Sequence, residues 1–382
     1  MDFNFTDEQV MLRDTVAAYL ADHYGFETRQ AVVKTGAGWR PQVWKAFAEE
    51  LGILGAAFSE DQGGLGGGVL ENLVVLEEFG KALVTEPYLD AVVIAGGFIR
   101  HGKFAGADEL AANIIAGTAI PVFAYAEPQG RYNWADLKTT AKADGAGYVL
   151  NGHKAVVIGG PYATHFIVTA RTSGGQRDRD GVSVVLVEKS SPGVVTRDYP
   201  TVDGQSASEV FFENVSVPAA SLVGAEGQGL SLIERVIDEA TVASMAEACG
   251  VLSVLHRQTM DYTKERKQFG QAIGDFQVIQ HRLVDMFIQV QLAVSMTYMA
   301  SMKVDTDDAT ERAKIVSSAK VQVARSLKFV GEQAIQLHGG MGMTEELAVS
   351  HYFKRATMLR GLFGSEDHHL VRYERASFEK AA

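Results

Sequence analysis

The stretch YTKERKQFGQAIGDFQVIQHRLVDM, residues 262–286, changes character at a single glycine. Before Gly270, the cations Lys264, Arg266 and Lys267 fall where the last turn of a helix is expected, a place that favours positive charge. After it, Phe276, Ile279, Leu283, Met286 and Val290 recur at the spacing of one buried helix face. Val316, Val323, Leu327, Val330 and Ala334 form a second such face downstream. From GAEGQG at 224–229 nearly to the end, the pattern predicts long helices that build a bundle, with no internal repeat or low-complexity linker.

Upstream, the pattern changes twice. Between Ile120 and about Val223 lie the β-branched runs GYVLNGHKAVVIGG, THFIVTART, GVSVVLVEKS, GVVTRDYP and SEVFFENVSVP, without helices between them. They predict an antiparallel β domain, a small barrel or sandwich. Asn151-Gly152 reads as a hairpin turn, because a type I′ turn needs positive φ at both central residues. From Thr6 to about Gly117, helical stretches such as PQVWKAFAEELGILG alternate with glycine-containing breaks, and Thr6 with Gln9 fits a capping box. QGGLGGG at 62–68 reads as a helix-to-helix loop, since a dinucleotide fingerprint needs a preceding buried strand and a later acidic residue. The expected fold is mainly α with a central β domain: an N-terminal helical domain at 1–119, a middle antiparallel β domain at 120–223 and a C-terminal four-helix bundle at 224–382.

Composition narrows the function. A length of 382 residues, 47% hydrophobic and 21% charged, is that of a globular protein with large cores. A net charge of −12 and the absence of any long basic block argue against a nucleic-acid surface and for a small-molecule ligand. Cys249 is the one cysteine, so no internal disulfide or multi-cysteine metal site forms, which fits a reducing compartment. Its flanks, AEACGVL, read as a buried helix position. MDFNFTDEQV lacks a basic, apolar leader, and AVVIAGGFI at 91–99 falls short of the roughly 18 apolar residues of a membrane span, so a cytoplasmic protein is expected.

RKQFG at 266–270, the following DFQ, QLHGGMGMTEE at 336–346 and YAEP at 125–128, in this domain order, resemble the acyl-CoA dehydrogenase family over essentially the whole chain. The resemblance implies an FAD-dependent oxidoreductase that removes the α-hydrogen and a β-hydride from an acyl-CoA, with electron-transfer flavoprotein as acceptor. By that resemblance, Arg266, Gln268 and Phe269 hold the ADP half of a flavin bound mainly by a neighbouring subunit, and Gln336, Gly339 and Gly340 join them. The chemistry is apt: a guanidinium meets a pyrophosphate bidentately, and paired glycines let a backbone approach a ligand. The competing readings are solvated cations in a last helical turn, and a glycine C-cap after AIQLH. His338, without a carboxylate or second histidine at ligand spacing, reads as structural.

The flavin-ring side departs from the family. Relatives carry Thr-Glu-Pro followed by Gly-Ser-Asp; here Ala126 stands for the Thr, and Tyr132 and Asn133 for the Ser and Asp. Relatives place Trp-Ile-Thr after Asn-Gly-x-Lys; here Val156, Val157 and Ile158 follow NGHKA. A Glu-Gly pair commonly supplies the base, and here it reads Phe363-Gly364, without a proton acceptor. Other members place the base about thirty residues before the glycine of the RKQFG-type motif; that position is Ala240, followed by Thr241. Glu239 is one step of about 100° away and reads as a solvated acid on an amphipathic helix, while Asp238 matches a family Asp near the CoA chain. SEDHHL at 365–370 reads as a helix start capped by Ser365 rather than a metal site. No catalytic residue is assigned within the chain. The expected function is one subunit of an α2β2 acyl-CoA dehydrogenase, similar to pimeloyl-CoA dehydrogenase small subunits and to subunits acting on steroid side-chain CoA thioesters, with the base on the partner chain. The alternatives are a self-associating homotetramer using Glu239 and a non-catalytic assembly subunit.

Overall fold

The computed structural model describes residues 5–36 and 38–378, so the first four residues of the leader reading lie outside the described residues. The capping box at the first helix is present: Thr6 Oγ1 accepts from the Gln9 backbone N–H at 3.2 Å, and Gln9 Oε1 accepts from the Thr6 N–H at 3.1 Å. Helices α1 (Asp7–His23), α2 (Phe26–Lys34), α3 (Pro41–Glu49), α4 (Val69–Ala82), α5 (Ala95–Gly102) and α6 (Ala107–Ile115) follow, with a π-helical turn, Leu89–Ile94, running directly into α5. QGGLGGG is a connection ahead of α4, as expected.

The strands are β1 (Pro121–Ala124), β2 (Thr140–Asp144), β3 (Gly147–Ile158), β4 (His165–Arg171), β5 (Val182–Glu188), β6 (Val194–Pro200), β7 (Ser206–Pro218) and β8 (Leu222–Val223). They form one sheet in the order β6-β7-β3-β2-β4-β5-β8, with β1 beside β4. Most pairs are antiparallel, but β1 and β2 each meet β4 in parallel, so the sheet is mixed. The hairpin expected at Asn151-Gly152 is not there. The chain turns at Gly145 and Ala146, where Asp144 pairs with Gly147, and β3 runs on through Asn151 and Gly152 with a register shift against β7. Gly152 serves close approach instead: a Cβ there would lie 2.6 Å from Thr139 Cα.

Helix α7 (Gly229–Glu265) leads to a two-stranded hairpin, β9 (Lys267–Gln268) with β10 (Gln271–Ala272), and then to α8 (Gln277–Ser301), α9 (Ala309–His338), α10 (Ala348–Gly361) and α11 (Glu366–Phe378). The C-terminal helices thus number five rather than four among the described residues. Both apolar faces read from the sequence turn inward, Met286 and Val290 from α8 and Val316, Val323, Leu327, Val330 and Ala334 from α9. Ser365 caps α11, its Oγ accepting from the His368 N–H at 3.3 Å, and Cys249 is buried.

The chain divides into two compact units, one of Gln30–Gly68 and Thr85–Ala240, the other of Met1–Arg29, Val69–Val84 and Thr241–Ala382. Within the second, α4 and α7 meet at two glycines. A Cβ on Gly80 would overlap the Glu247 carbonyl oxygen, and one on Gly250 would overlap the Glu77 carbonyl oxygen. Neither helix backbone can yield without lifting the whole contact. Gly250→Ala is therefore expected to cost about 1–3 kcal/mol of stability, read as a lower urea midpoint at an unchanged slope; an unchanged midpoint would show that the helices separate freely.

Candidate functional site

The RKQFG segment forms a hairpin whose turn is Phe269-Gly270, both with positive φ, 56° and 85°. Arg266 begins it: its N–H closes the end of α7 on the Tyr262 carbonyl at 2.8 Å, and its carbonyl accepts from the Ile273 N–H at 2.8 Å. Lys264, Arg266, Lys267 and Gln268 are exposed, and Phe269 is 92% exposed at the tip. Arg266 has no ion-pair partner among the described residues.

The second motif lies beside the first. Tyr262 and His338 stack at 4.3 Å between ring centroids, and Tyr262 Oη donates to the His338 carbonyl at 3.4 Å. His338 is buried, its Nδ1 2.8 Å from the Ala334 carbonyl, and burial lowers its pKa below the usual imidazole value. This fits the structural role read from the sequence. Gln336, Gly339 and Gly340 sit at the exposed end of α9. Gly339 needs its φ of 60°, but a Cβ on Gly340 would meet nothing within 4 Å, so nothing inside the chain requires a glycine there. Both segments therefore share one outward-facing surface of this unit.

In the other unit, the YAEP segment is fixed by a charge pair that sequence reading missed. Lys154, fully buried on β3, donates to Glu127 Oε1 at 2.7 Å and to Thr169 Oγ1 at 2.9 Å. Glu127 also accepts from the backbone N–H of Lys138 and of Thr139 at 2.7 and 3.1 Å. Burial alone would raise the Glu127 carboxyl, but the Lys154 charge and these donors bring it down to about 2, while burial lowers Lys154 to about 8. No local pattern announces a pair 27 residues apart; only a lysine on the inward side of a strand hints at it. The Ala155 N–H donates to the Ala126 carbonyl at 2.8 Å, which brings the YAEP segment against β3 beside Val156. Val156 follows at a φ of 53°, in the register shift between Lys154 and Val157, and is 49% exposed. Ile158 ends β3. A cavity of about 390 Å³ opens beside them, lined by Glu127, Pro128, Gln129, Lys138 and His153.

Two further positions singled out in the sequence, Phe363 and Glu239, are both buried. Phe363 is 4% exposed, with a φ of 59°. Glu239 is not the solvated acid expected from the helix pattern: it is 3% exposed, with Arg100 at 2.8 Å, His101 at 2.7 Å and Arg235 at 3.1 Å. Burial alone would raise its carboxyl, but His101 and Arg100 hold it at about 2. Two of its three partners, Arg100 and His101, come from α5, more than a hundred residues upstream, where a helical period cannot see them. A carboxylate so held is a weak proton acceptor and a firm strut. Asp238 is buried too.

Models of the acyl-CoA dehydrogenase N-terminal, middle and C-terminal domains match residues 6–117, 122–215 and 227–377. The chain is 30% identical to the probable acyl-CoA dehydrogenase YngJ of Bacillus subtilis, over 94% of this chain and 95% of that protein. Among solved structures, it is similar to a chain of the ChsE4-ChsE5 complex from Mycobacterium tuberculosis, at 28% identity and a TM-score of 0.89 over 99% of each chain. It is also similar to butyryl-CoA dehydrogenase from Megasphaera elsdenii, at 26% identity and a TM-score of 0.89 over 99% of this chain and all of that one.

Because Glu239 has a depressed folded-state pKa, its stabilisation is full above about pH 4.5 and is lost as the pH falls toward about 2. Glu239→Gln is expected to cost about 2–4 kcal/mol near neutrality, with the gap to the wild type closing at acid pH. Urea midpoints at neutral and acid pH check this; an equal gap at both would remove the charge from the account.

Proposed function

Since the chain belongs to the acyl-CoA dehydrogenase family of FAD-binding flavoproteins, we propose that it is one of two unlike subunits of an α2β2 acyl-CoA dehydrogenase, contributing the ADP side of a shared flavin site while the partner contributes the ring contacts and the base. The observation that carries this is an asymmetry within the chain. Arg266, Gln268, Gln336 and Gly340 are solvent-facing, and among the described residues Arg266 has no ion-pair partner and the Gln268 amide reaches only the neighbouring Lys267 carbonyl, whereas Ala126, Val156, Ile158 and Phe363 offer the flavin ring and the α-proton no polar side chain.

The residues present fit FAD on one side. Arg266 can meet a pyrophosphate bidentately, the amides of Gln268 and Gln336 can donate or accept, and the bare Cα of Gly340 leaves room for a group from outside. Bound flavin supplies the acceptor for the substrate's β-hydride. Phe363 cannot take the α-proton, and Glu239 is committed to three cations, which argues against a relocated base there. Helix α8 supports a covering chain: Val278, Val284, Phe287, Ile288 and Leu292 are 42–60% exposed along it. By length and composition alone α8 could also cross a membrane, but its Met286, Val290 and Ala293 pack into the bundle core. The ChsE4-ChsE5 complex, one chain of which this chain is similar to, pairs two different proteins, in line with this reading.

The test compares the chain purified alone with the chain co-expressed with a second family member from the same genome. Alone, it is expected to hold little FAD and to be inactive; together, the pair is yellow and is bleached anaerobically by acyl-CoA. In the pair, Arg266→Ala weakens FAD binding by roughly tenfold or more, the worth of a charge-assisted contact, and Phe363→Glu in the lone chain restores no turnover. A stoichiometric flavin on the lone chain, bleached by acyl-CoA, would overturn the shared site. Full flavin occupancy and activity of the partner without this chain would make it an assembly subunit.

A further inference from the structure

Four helices each send one ionisable side chain into the interior of the same unit: Glu247 from α7, Lys320 from α9, Arg355 from α10 and His369 from α11, all buried. Glu247 and Arg355 satisfy one another through two hydrogen bonds, of 2.6 and 2.7 Å. Lys320, 1% exposed, donates at 2.7 Å to the Leu359 carbonyl, one of the last four of α10, which have no partner within their own helix. His369 places Nδ1 3.2 Å from Ser317 Oγ, and its ring lies so close to Gly364 that a Cβ there would overlap Nε2. Among the described residues, no carboxylate hydrogen-bonds to Lys320 or His369. Between the end of α10 and the start of α11, Phe363 and Gly364 turn the chain at φ 59° and 141°.

We infer that Lys320 is a latch on the Leu362–Phe363–Gly364 turn: as a neutral amine it holds the end of α10 closed, and when it takes up a proton the turn opens and admits water. A neutral amine needs little more than its one carbonyl. An ammonium carries three N–H groups and finds one acceptor here; Arg355 repels it, His369 offers no negative charge, and the carboxylate of Glu247 is already shared with Arg355. Burial and Arg355 lower Lys320 to about 7, whereas an amine released into water titrates near 10.4. Opening therefore takes up a proton between those values. It becomes easier as the pH falls from about 10 to about 7 and levels off below. The inference concerns this chain's own turn and stands whether or not a partner shares a flavin with it.

Hydrogen exchange on the full chain as purified, corrected for the intrinsic pH dependence, reads the opening of residues 359–368. Between about pH 9.5 and 7 it is expected to rise by on the order of 100-fold and then to flatten, while α8 stays unchanged. Lys320→Met should make the profile flat. In parallel, NMR of 13Cε-labelled lysines in the wild type should show two resonances titrating below about pH 9, that of buried Lys154 near 8 and a second near neutrality. A flat wild-type exchange profile, a pH-dependent profile kept in Lys320→Met, or only one lysine titrating below about pH 9 would each overturn the latch; the two wild-type measurements decide it even if the variant does not fold.

Discussion

A carboxylate taken out of water has to be met by cations or donors, or the fold bears a desolvation penalty of several kcal/mol per ion. That constraint fixes three buried glutamates of this chain. Glu127 is met by Lys154, Glu239 by Arg100, His101 and Arg235, and Glu247 by Arg355. Apart from Arg235, on the same helix as Glu239, these partners lie 27 to 139 residues away in sequence, so the charges act as long-range staples in a fold whose helices are otherwise held by apolar faces. The same pairing holds Glu127 and Glu239 well below the usual carboxylate range. What makes Glu127 and Glu239 tolerable inside the protein also removes their basicity, so neither is a ready proton acceptor.

The sequence made legible whatever is encoded by local period. The α8 and α9 faces, the Thr6 capping box and the Ser365 cap each depend on residues within one or two helical turns, and all are present. Asn151-Gly152 misleads because a positive-φ dipeptide marks a turn only where the flanking strands have no better partner. Here β3 pairs along its length with β7, and Gly145-Ala146 supplies the turn to β2. Glu239 misleads for the opposite reason. Its helix looks amphipathic, but the cations that bury it arrive from α5.

Backbone strain was illegible in the sequence, and three of the residues that carry it lie in the motifs. Val156, Phe269 and Phe363 all adopt left-handed φ, a conformation that costs of order 1–3 kcal/mol outside glycine and is least natural for a β-branched residue such as valine. At Val156 the cause is visible. Lys154 on one side is held by Glu127 and Val157 on the other is buried, so the residue between them is pushed out of register and into solvent. At Phe269 the two-residue turn between Gln268 and Gln271 requires it. The fold, not the residue, chooses these conformations.

That separation explains how ring-side side chains can change while the architecture persists. Ala126, Val156 and Ile158 keep the hydrogen bonds and bulge of the β-domain backbone, including the link from Ala155 N–H to the Ala126 carbonyl. A ligand or partner that reads only backbone there would find the surface intact; one that needs a hydroxyl, an indole or a carboxylate would not. On the hairpin the case is reversed, because Arg266 and Phe269 present side chains outward. An aromatic ring 92% exposed on a strained turn, beside a guanidinium with no ion-pair partner among the described residues, gains little from folding beyond its edge contact with Phe276. Its return has to come from a surface or ligand outside the chain, which is the physical content of reading this chain as one half of a shared site.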